Sequence, residues 1–222
     1  IVKSVDDTVL MDLFVEEGGQ LRSRMVLGSF EGDVRSLLRV ERILINFLSR
    51  LSGIATLTAK FVKALENTGA VVLDTRKTVP GWRYLDKYAV SVGGGVNHRM
   101  SLEDIALIKG THADACGGLD LAIEKFLQKN VGKPLIVEVR SLAELEQALP
   151  HSKSLHRIML DNFLLADMKK AVDMTAGKIL LEASGGVTLD NVRDIALTGV
   201  HFISVGALTH SAPGYDLSFK IS

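Results

Sequence analysis

Beyond residue 70, short apolar segments alternate with amphipathic segments of helical periodicity, and this rhythm limits the possible folds more than any other feature. Because strands separated by helices pair in parallel through right-handed crossovers, the rhythm predicts an α/β fold. Six strands in succession favour a (β/α) barrel, closed or open, and a doubly wound sheet is the alternative. The predicted strands are 71–73, 105–108, 135–139, 158–160, 179–181 and 202–205, and the helices predicted between them include 119–128, 141–149, 164–174 and 188–198.

The first 66 residues have a different texture. Short strands and turns are predicted up to residue 34, because glycines at 18–19 and 32 interrupt the apolar runs. Large apolar residues then recur at helical spacing over 36–66, which predicts a long helix. We expect Gly53 to break or kink this helix, because glycine disfavours a helix interior.

Charge and cysteine content narrow the functional classes. The 222 residues include 26 Lys and Arg and 26 Asp and Glu, and the resulting net charge of zero argues against a general nucleic-acid binder. No apolar run approaches the roughly 18 residues that a membrane helix needs, so no membrane span is expected. The single cysteine, Cys116, excludes an intrachain disulfide. Together with the lack of a recognisable signal peptide, this predicts a cytoplasmic protein.

A charged residue or a glycine stands at the end of every predicted strand or follows it. Ligands bind at the carboxyl ends of the strands in parallel α/β folds, so these residues are expected to line one pocket. In chain order they are Asp74-Thr75-Arg76-Lys77, Lys109, Glu138, Asp161-Asn162, Ser184-Gly185-Gly186 after Glu182, and Gly206-Ala207.

The last two strand ends have the character of a phosphate site. The turn at 184–186 precedes a helix with Thr188 as its expected N-cap, and Gly206 precedes another helix start. Glycine lets backbone N–H groups approach a phosphate, and helix N-termini favour anions. Two tight turns without a ligand are the alternative.

Four cations are expected on the same face, namely Arg76, Lys77, Arg99 and Lys109. They suggest an anionic ligand, since no carboxylate is adjacent to them and cations of this kind pair with carboxylates and phosphates. His98, next to Arg99, strengthens the expectation of a carboxylate site. Solvated turns are the alternative, and the glycine run 93–95 is either a flexible loop or a loop that covers a ligand.

Glu138 and Asp161 are candidates for binding a sugar hydroxyl or a Mg²⁺ ion. Carboxylates beside a phosphate-binding pocket often serve one of these two purposes. A salt bridge to Lys109 or Arg76 is the alternative.

Two weaker indications concern histidines. His112, Asp114 and Cys116 alternate along the chain and would share one side of an extended segment, which is a weak indication of zinc. His210 lies close to the sixth strand end, where it could touch a phosphate.

Several motifs in fixed order resemble the quinolinate phosphoribosyltransferase family, also called nicotinate-nucleotide pyrophosphorylase (carboxylating). The resemblance extends from about residue 30 to the end of the chain. The motifs are Glu41-Arg42 with Asn46, Leu51-Ser52-Gly53-Ile54-Ala55-Thr56, Asp74-Thr75-Arg76-Lys77-Thr78, Gly93-Gly94-Gly95, Asn97-His98-Arg99, Leu160-Asp161-Asn162, Glu182-Ala183-Ser184-Gly185-Gly186 and Ser204-Val205-Gly206-Ala207-Leu208-Thr209-His210-Ser211. The chain departs from the family pattern in two places: Gly110-Thr111 replaces the usual Asp-Asn, and Ile136 replaces a Glu.

The resemblance implies a six-stranded, open, TIM-like (β/α) barrel with an N-terminal α/β sandwich that is incomplete in this chain. The implied division has a sandwich remnant at 1–35 and a helical segment at 36–69 that links the domains and forms the dimer interface. The barrel is expected at 70–210, and a segment at 211–222 is expected to return to the N-terminal domain.

The family reaction joins quinolinate to phosphoribosyl pyrophosphate with Mg²⁺ and yields nicotinate mononucleotide, pyrophosphate and CO₂ in NAD biosynthesis. By position, the implied quinolinate-binding residues are Arg42, Arg76, Lys77, His98, Arg99 and Lys109. Those implied for the phosphoribosyl donor are Lys109, Glu138, Asp161, Ser184, Gly185, Gly186 and Gly206. The implied catalytic residues are Lys77, Lys109, Glu138 and Asp161, of which Glu138 and Asp161 also serve Mg²⁺.

The resemblance further implies a homodimer, or a higher oligomer, in which Arg42 completes the neighbour's site. No nucleic-acid or membrane partner is expected. Three alternatives stay open: a phosphoribosyltransferase for another acid such as nicotinate, a paralogue associated with molybdenum transport, and a non-catalytic phosphate-binding barrel.

Overall fold

Six parallel strands form a single sheet in the computed structural model, which describes residues 1–130 and 132–221. They are β3 (Val71–Leu73), β4 (Ala106–Ile108), β5 (Leu135–Val139), β6 (Arg157–Asp161), β7 (Leu181–Ser184) and β8 (Phe202–Ser204). Their order, β3-β8-β7-β6-β5-β4, is that of a barrel whose first two strands do not pair with each other. The open barrel is therefore confirmed. The doubly wound alternative is wrong, because the strand order never reverses around a central strand.

The described residues leave out Val131, within the predicted barrel, and Ser222, within the predicted C-terminal segment.

Helices follow the barrel strands. They are α3 (Arg83–Val92), α4 (Gly110–Cys116), α5 (Leu119–Lys129), α6 (Leu142–Ala148), α7 (Leu165–Thr175), α8 (Val192–Leu197) and α9 (Ala207–His210), with a 3₁₀ turn at Leu149–Ser154. No helix in the described part of the chain has the length and apolarity needed to cross a bilayer.

Two sequence-based boundaries near the fifth strand are wrong. The strand occupies Leu181–Ser184 rather than 179–181, because Glu182 lies fully buried inside the barrel, where ion pairs compensate its charge. Helix α8 begins at Val192, with Asn191 rather than Thr188 at its N-cap. The backbone N–H of Thr188 donates to Asn191 Oδ1 at 2.8 Å, which makes the intervening residues a turn.

The N-terminal region is a small α/β layer. Helix α1 (Val2–Val5) precedes an antiparallel pair, β1 (Leu10–Leu13) and β2 (Gly28–Glu31), and the long helix α2 (Val34–Ala64) follows. Asp33 caps α2 by accepting a hydrogen bond from the backbone N–H of Arg35. This N-terminal layer has a small hydrophobic core of its own, formed by Val2, Val9, Leu37 and Val40.

The expected break at Gly53 is wrong, because α2 runs uninterrupted for 31 residues. Gly53 instead admits the C-terminal segment: a Cβ atom there would lie 2.0 Å from the carbonyl oxygen of Pro213. Nearby, the N–H of Tyr215 donates to the carbonyl of Ser49 at 2.9 Å. Phe219 then packs on Phe30 of β2 with 5.6 Å between ring centroids.

Residues 96–99, here called the seam segment, occupy the gap between β3 and β4. Val96 forms a parallel bridge with Leu73, and its N–H donates to the carbonyl of Val72 at 2.9 Å. On the other side, Arg99 Nη1 donates to the carbonyl of Ile105, just before β4, at 2.8 Å. Backbone groups at the open edges thus gain partners, as buried groups require.

Gly53→Ala is expected to destabilise the protein. In an ordinary helix interior this change is stabilising by about 1 kcal/mol. Here the new methyl group would collide with the backbone at Pro213, so we expect a net loss of about 2 kcal/mol in the free energy of unfolding. Urea unfolding measures it, with Thr56→Ala at an exposed position of α2 as the control. A more stable Gly53→Ala variant would contradict the packing of the C-terminal segment.

Candidate active site

A cavity of about 530 Å³ opens at the carboxyl ends of the barrel strands. The strands create it through their alternation: inward residues such as Glu138 and Ser204 line it, while the intervening Val137 and Ile203 pack in the outer core. The predicted site residues in its lining are Arg76, Lys77, His98, Arg99, Lys109, Glu138, Asp161, Ser184, Gly185, Gly186 and Gly206. The lining also includes Thr75, Leu107, Met159, Val187, Thr188, Ser204, Ala207 and the weakly indicated His210.

Among the residues implied for quinolinate or the phosphoribosyl donor, Arg42 alone is absent from this lining, and the expectation that the strand-end residues Asp74, Asn162 and Glu182 line the pocket is wrong. Arg42 lies exposed on α2. Arg50, eight positions along the same helix, is directed into the protein: it donates to both carboxylate oxygens of Asp86 at 2.9 and 2.8 Å and to the carbonyl of Thr209 at 3.0 Å. The hydroxyl of Thr209 donates to the carbonyl of Lys77 at 2.8 Å, so α2 supports the backbone of a cavity residue.

The cations that line the cavity, here called the cationic wall, include hydrogen-bond donors that no protein acceptor uses among the described residues. Arg76 Nε is buried and has no hydrogen-bond partner among residues 1–130 and 132–221. Arg99 is 8% exposed and uses Nη1 for the carbonyl of Ile105. Burial lowers the pKa of Arg99, and the nearby charge of Arg76 adds to this effect. An anionic ligand would satisfy these donors and offset their mutual repulsion.

His98 lines the cavity, but both of its ring nitrogens face protein groups. Nδ1 accepts a hydrogen bond from the N–H of Arg99 at 2.7 Å, which assigns the proton of a neutral ring to Nε2. Nε2 lies 3.3 Å from Glu182 Oε1. Both ring nitrogens of His98 thus have protein neighbours, and its predicted grip on a carboxylate stays a prediction.

Glu182 is a buried carboxylate directly beneath the cavity. It accepts a hydrogen bond from Ser204 Oγ at 2.5 Å, and Arg157 Nε lies 2.6 Å from its Oε2. Desolvation alone would raise the pKa of Glu182, but the contacts with His98, Arg157 and Ser204 outweigh it and lower that pKa. Arg157 and Ser204 were given no predicted role, although strand alternation was an available signal, since both share the inward face with Glu182 and Asp161.

Glu138 and Asp161 line the cavity without an ion pair to Lys109 or Arg76 in the described part of the chain, so the salt-bridge alternative is not observed. Glu138 Oε1 accepts a hydrogen bond from the N–H of Gly110 at 3.1 Å. Asp161 Oδ2 accepts one from the side chain of Asn162 at 3.0 Å. Both carboxylates therefore keep acceptor capacity for a ligand.

Glu138 and Asp161 could hold a magnesium ion together with water and substrate, but not a metal ion that needs three or more protein ligands. Within the described ranges, no cluster of three or more His, Cys, Asp or Glu side chains could hold a metal. Mg²⁺ is commonly held by one or two carboxylates, waters and substrate phosphates, and this donor set matches Glu138 and Asp161.

The weak zinc indication is wrong. His112, Asp114 and Cys116 lie in helix α4 rather than in an extended segment. Asp114 pairs with Arg140 at 2.9 Å, and His112 Nδ1 accepts from the N–H of Lys109 at 3.0 Å.

The glycines at the last two strand ends shape the cavity rim. Gly185 has φ = +96°, and a Cβ there would lie 2.1 Å from Asn162 Oδ1. A Cβ at Gly206, which precedes α9, would lie 3.1 Å from Lys77 Cδ. The turn at Gly185 depends on glycine, whereas Gly206 has ordinary helical backbone angles and would meet only flexible side-chain ends. The predicted contact of both turns with phosphate stays a prediction.

The glycine run 93–95 is a packed turn and does not line the cavity. A Cβ at Gly93 would lie 2.4 Å from the carbonyl oxygen of Ala55, and one at Gly95 would lie 2.8 Å from Thr58 Cγ2. The glycines let the turn approach α2 closely, so both loop interpretations, flexible and ligand-covering, are wrong.

Comparison with known proteins places this barrel and cavity among the phosphoribosyltransferases. Residues 2–52 match the N-terminal domain model of quinolinate phosphoribosyl transferase, and residues 54–220 match its C-terminal domain model. The chain belongs to the quinolinate phosphoribosyltransferase family.

Individual relatives agree with this assignment. The chain is 40% identical, over 100% of its length and 67% of the relative's, to quinolinate phosphoribosyltransferase [decarboxylating] 1b of Nicotiana tabacum. It is 43% identical to nicotinate-nucleotide pyrophosphorylase [carboxylating] of Mycobacterium leprae, over 93% of this chain and 73% of that protein. The crystal structure of NadC from Streptococcus pyogenes superposes with a TM-score of 0.92 at 38% identity, covering 99% of this chain and 77% of that one.

Glu182→Gln is expected to lower the free energy of unfolding by about 3 kcal/mol at neutral pH, because it leaves Arg157 buried without its counter-charge. The depressed pKa of Glu182 means that its ionic contribution is lost as the pH falls below 4.5, its ordinary value. Chemical denaturation across pH should therefore show the two proteins converging in acid. Glu146→Gln, on an exposed face of α6, is the control; equal stabilities of wild type and Glu182→Gln at pH 7 would contradict the buried pair.

Proposed function

We infer that this chain transfers the phosphoribosyl group of phosphoribosyl pyrophosphate to quinolinate and releases pyrophosphate and CO₂, which yields nicotinate mononucleotide for NAD biosynthesis. The observation that carries this inference is the cationic wall of the cavity in a chain of this family. Arg76, Lys77, Arg99 and Lys109 line one cavity with two carboxylates, Glu138 and Asp161. A dianionic acid and a phosphorylated sugar require this distribution of charge.

We propose that Arg76 and Arg99 bind the two adjacent carboxylates of quinolinate. The buried Nε of Arg76 lacks a protein acceptor among the described residues, and Arg99 commits Nη1 alone to the backbone. Guanidinium groups bind carboxylates in a planar fork, so two of them suit a diacid. His98 supports this wall by accepting the N–H of Arg99.

The phosphoribosyl donor is proposed to lie across the carboxyl ends of β6, β7 and β8. Its 5′-phosphate would meet backbone N–H groups at 184–186 and Gly206, where glycines leave room for close approach. The ribose would lie over Glu138 and Asp161. Lys77 and Lys109, which line the same cavity, would bridge the two substrates.

The chemistry then needs positioning and charge rather than a protein nucleophile. The pyridine nitrogen forms a bond to ribose C1 while the C1–oxygen bond breaks and pyrophosphate leaves with the electron pair. Positive charge develops on the ribose, and Glu138 and Asp161 stabilise it electrostatically. The cationic ring nitrogen afterwards accepts the electrons of the breaking carbon–carboxylate bond as CO₂ departs, and a proton takes its place. Holding both substrates in this geometry supplies much of the acceleration.

We propose Mg²⁺ as the cofactor, held by Glu138 and Asp161 together with the donor. A bound Mg²⁺ ion neutralises charge on the pyrophosphate leaving group. Glu138 is kept in place for this by the N–H of Gly110, and Asp161 by the side chain of Asn162.

Direct assay with purified protein, Mg²⁺ and phosphoribosyl pyrophosphate tests the proposed function. Quinolinate should be converted to nicotinate mononucleotide and CO₂, and nicotinate should react at least about 30-fold less efficiently, because one paired charge contact is lost. Chelation of Mg²⁺ should abolish turnover, and its return should restore it.

The alternatives predict different results in the same assay. Comparable turnover of both acids would favour a phosphoribosyltransferase for monocarboxylates. Binding of the donor without turnover of either acid would favour a non-catalytic phosphate-binding barrel.

We propose that the active form is a homodimer, or a higher oligomer built from it, in which Arg42 completes the neighbour's site. Arg42 lies outside the lining of its own cavity. Apolar side chains around it on α2 are exposed in the single chain, including Leu38 (55%) and Ile43 (49%). Exposed apolar surface of this kind marks an interaction face.

Subunit complementation tests the role of Arg42. Arg42→Ala and Lys109→Ala should each be inactive, but in a mixed dimer one site receives both defects and the other receives neither. Mixing under conditions of subunit exchange should restore about a quarter of wild-type activity, since half of the dimers are mixed and each holds one intact site. No recovery, with mixed dimers shown by mass spectrometry, would place Arg42 in its own subunit's site or outside catalysis.

A cytoplasmic location is also proposed, on the basis of the single cysteine and its compatibility with a reducing compartment. Relatives differ in this respect: a tobacco one is named mitochondrial and a rice one chloroplastic. Fractionation of the source cells decides between these compartments.

A further inference from the structure

A fully buried ion pair lies beside the cavity without lining it. The side chains of Asp74, at the end of β3, and Lys87, in α3, are both completely inaccessible to solvent and contact each other directly. Neither is part of the cavity surface. The proposed chemistry therefore uses neither group directly.

The pair holds the seam segment by its backbone. The N–H of His98 donates to Asp74 Oδ1 at 2.8 Å, and Lys87 Nζ donates to the carbonyl of His98 at 2.9 Å. The side-chain amide of Asn97, in the orientation that satisfies its nitrogen, donates to Asp74 Oδ2 at 2.7 Å and to the carbonyl of Lys87 at 2.8 Å. Both polar backbone groups of His98 are thus fixed by the pair, directly before Arg99.

Stability alone is a poor explanation for this pair. Desolvation raises the pKa of Asp74 and lowers the pKa of Lys87, which shows that burial disfavours both charges. Apolar replacements of buried ion pairs are often neutral or stabilising, whereas removal of one partner is destabilising. A benefit other than stability is therefore expected where such a pair is retained.

We propose that Asp74 and Lys87 are positioning residues that set the acid-binding wall, an inference that rests on the proposed function. By clamping residues 97 and 98, they fix where Arg99 enters the cavity relative to Arg76. Of the proposed donor-binding residues, Asp161 and those at 184–186 belong to or follow β6 and β7, the strands farthest from the seam, whereas Lys109 and Gly206 lie closer to it. We therefore expect the Asp74–Lys87 pair to affect binding of the acid more strongly than binding of the phosphoribosyl donor.

Steady-state kinetics of Lys87→Met and of the double variant Asp74→Asn/Lys87→Met test this role. The double variant removes both charges at nearly constant volume, so it avoids the unpaired buried carboxylate of the single variant. The KM for quinolinate should rise about tenfold or more in both, because a small displacement of Arg99 weakens its contact with a carboxylate. The KM for phosphoribosyl pyrophosphate should stay within about twofold of wild type.

Lys170→Met, the same substitution at an exposed pair on α7, is the matched control and should leave both KM values unchanged. Equal increases in both KM values, or a loss of folded protein with unchanged KM values, would show a merely structural role and overturn the inference. Failure of the double variant to fold would overturn it as well. A wild-type protein without activity on quinolinate would instead contradict the proposed function on which the inference rests.

Discussion

Backbone groups at the open edges of the barrel need hydrogen-bond partners, and the way they are satisfied determines the site. In a closed barrel β3 and β4 would pair with each other, and the interior would have no lateral entry. Here the seam segment takes that place, held on one side by the carbonyl of Val72 and on the other by the carbonyl of Ile105, to which Arg99 donates. The gap therefore becomes the position from which a histidine and an arginine enter the cavity. One requirement of sheet structure has brought two proposed ligand-binding residues to a place that no barrel strand occupies.

The cavity wall and the buried groups next to it carry different arrangements of charge. The chain has equal numbers of acidic and basic side chains, yet the upper wall of the cavity is rich in cations. Next to it, Glu182 and Asp74 are buried carboxylates in contact with His98, Arg157 and Lys87. These contacts pair opposite charges and hold His98 and Lys87 in place. In the cavity wall, Arg76 keeps an Nε without a partner among the described residues, so its charge is available to an anionic ligand.

Short-range patterns in the sequence predicted six parallel strands and most of the cavity lining, and the family resemblance added the open barrel. An apolar run followed by a charge at 109, 138 or 161 identifies a strand end, and parallel strands bring such ends together. The rule that a charge marks the end of a strand failed for a charge inside the barrel, because Glu182 was predicted to follow its strand and lies within it.

The predictions for Gly53 and for the glycines at 93–95 were wrong because they considered the local sequence alone. Their small size serves a contact with a distant segment, which local propensity does not encode. The orientation of the His98 ring could not be predicted from the local sequence either, since it depends on Glu182 in β7, 84 positions away.

Helix α2 crosses the point at which the two family domains are divided. The N-terminal model ends at residue 52 and the C-terminal model begins at residue 54, but the helix continues through both as a rod of about 46 Å. Its first half packs on the β1–β2 layer, its middle supports Lys77 through Arg50, and its last turns carry Phe61 into the barrel core. A division of the chain at residue 53 would therefore cut through one helix instead of separating two domains. The two halves share one continuous helix across that boundary.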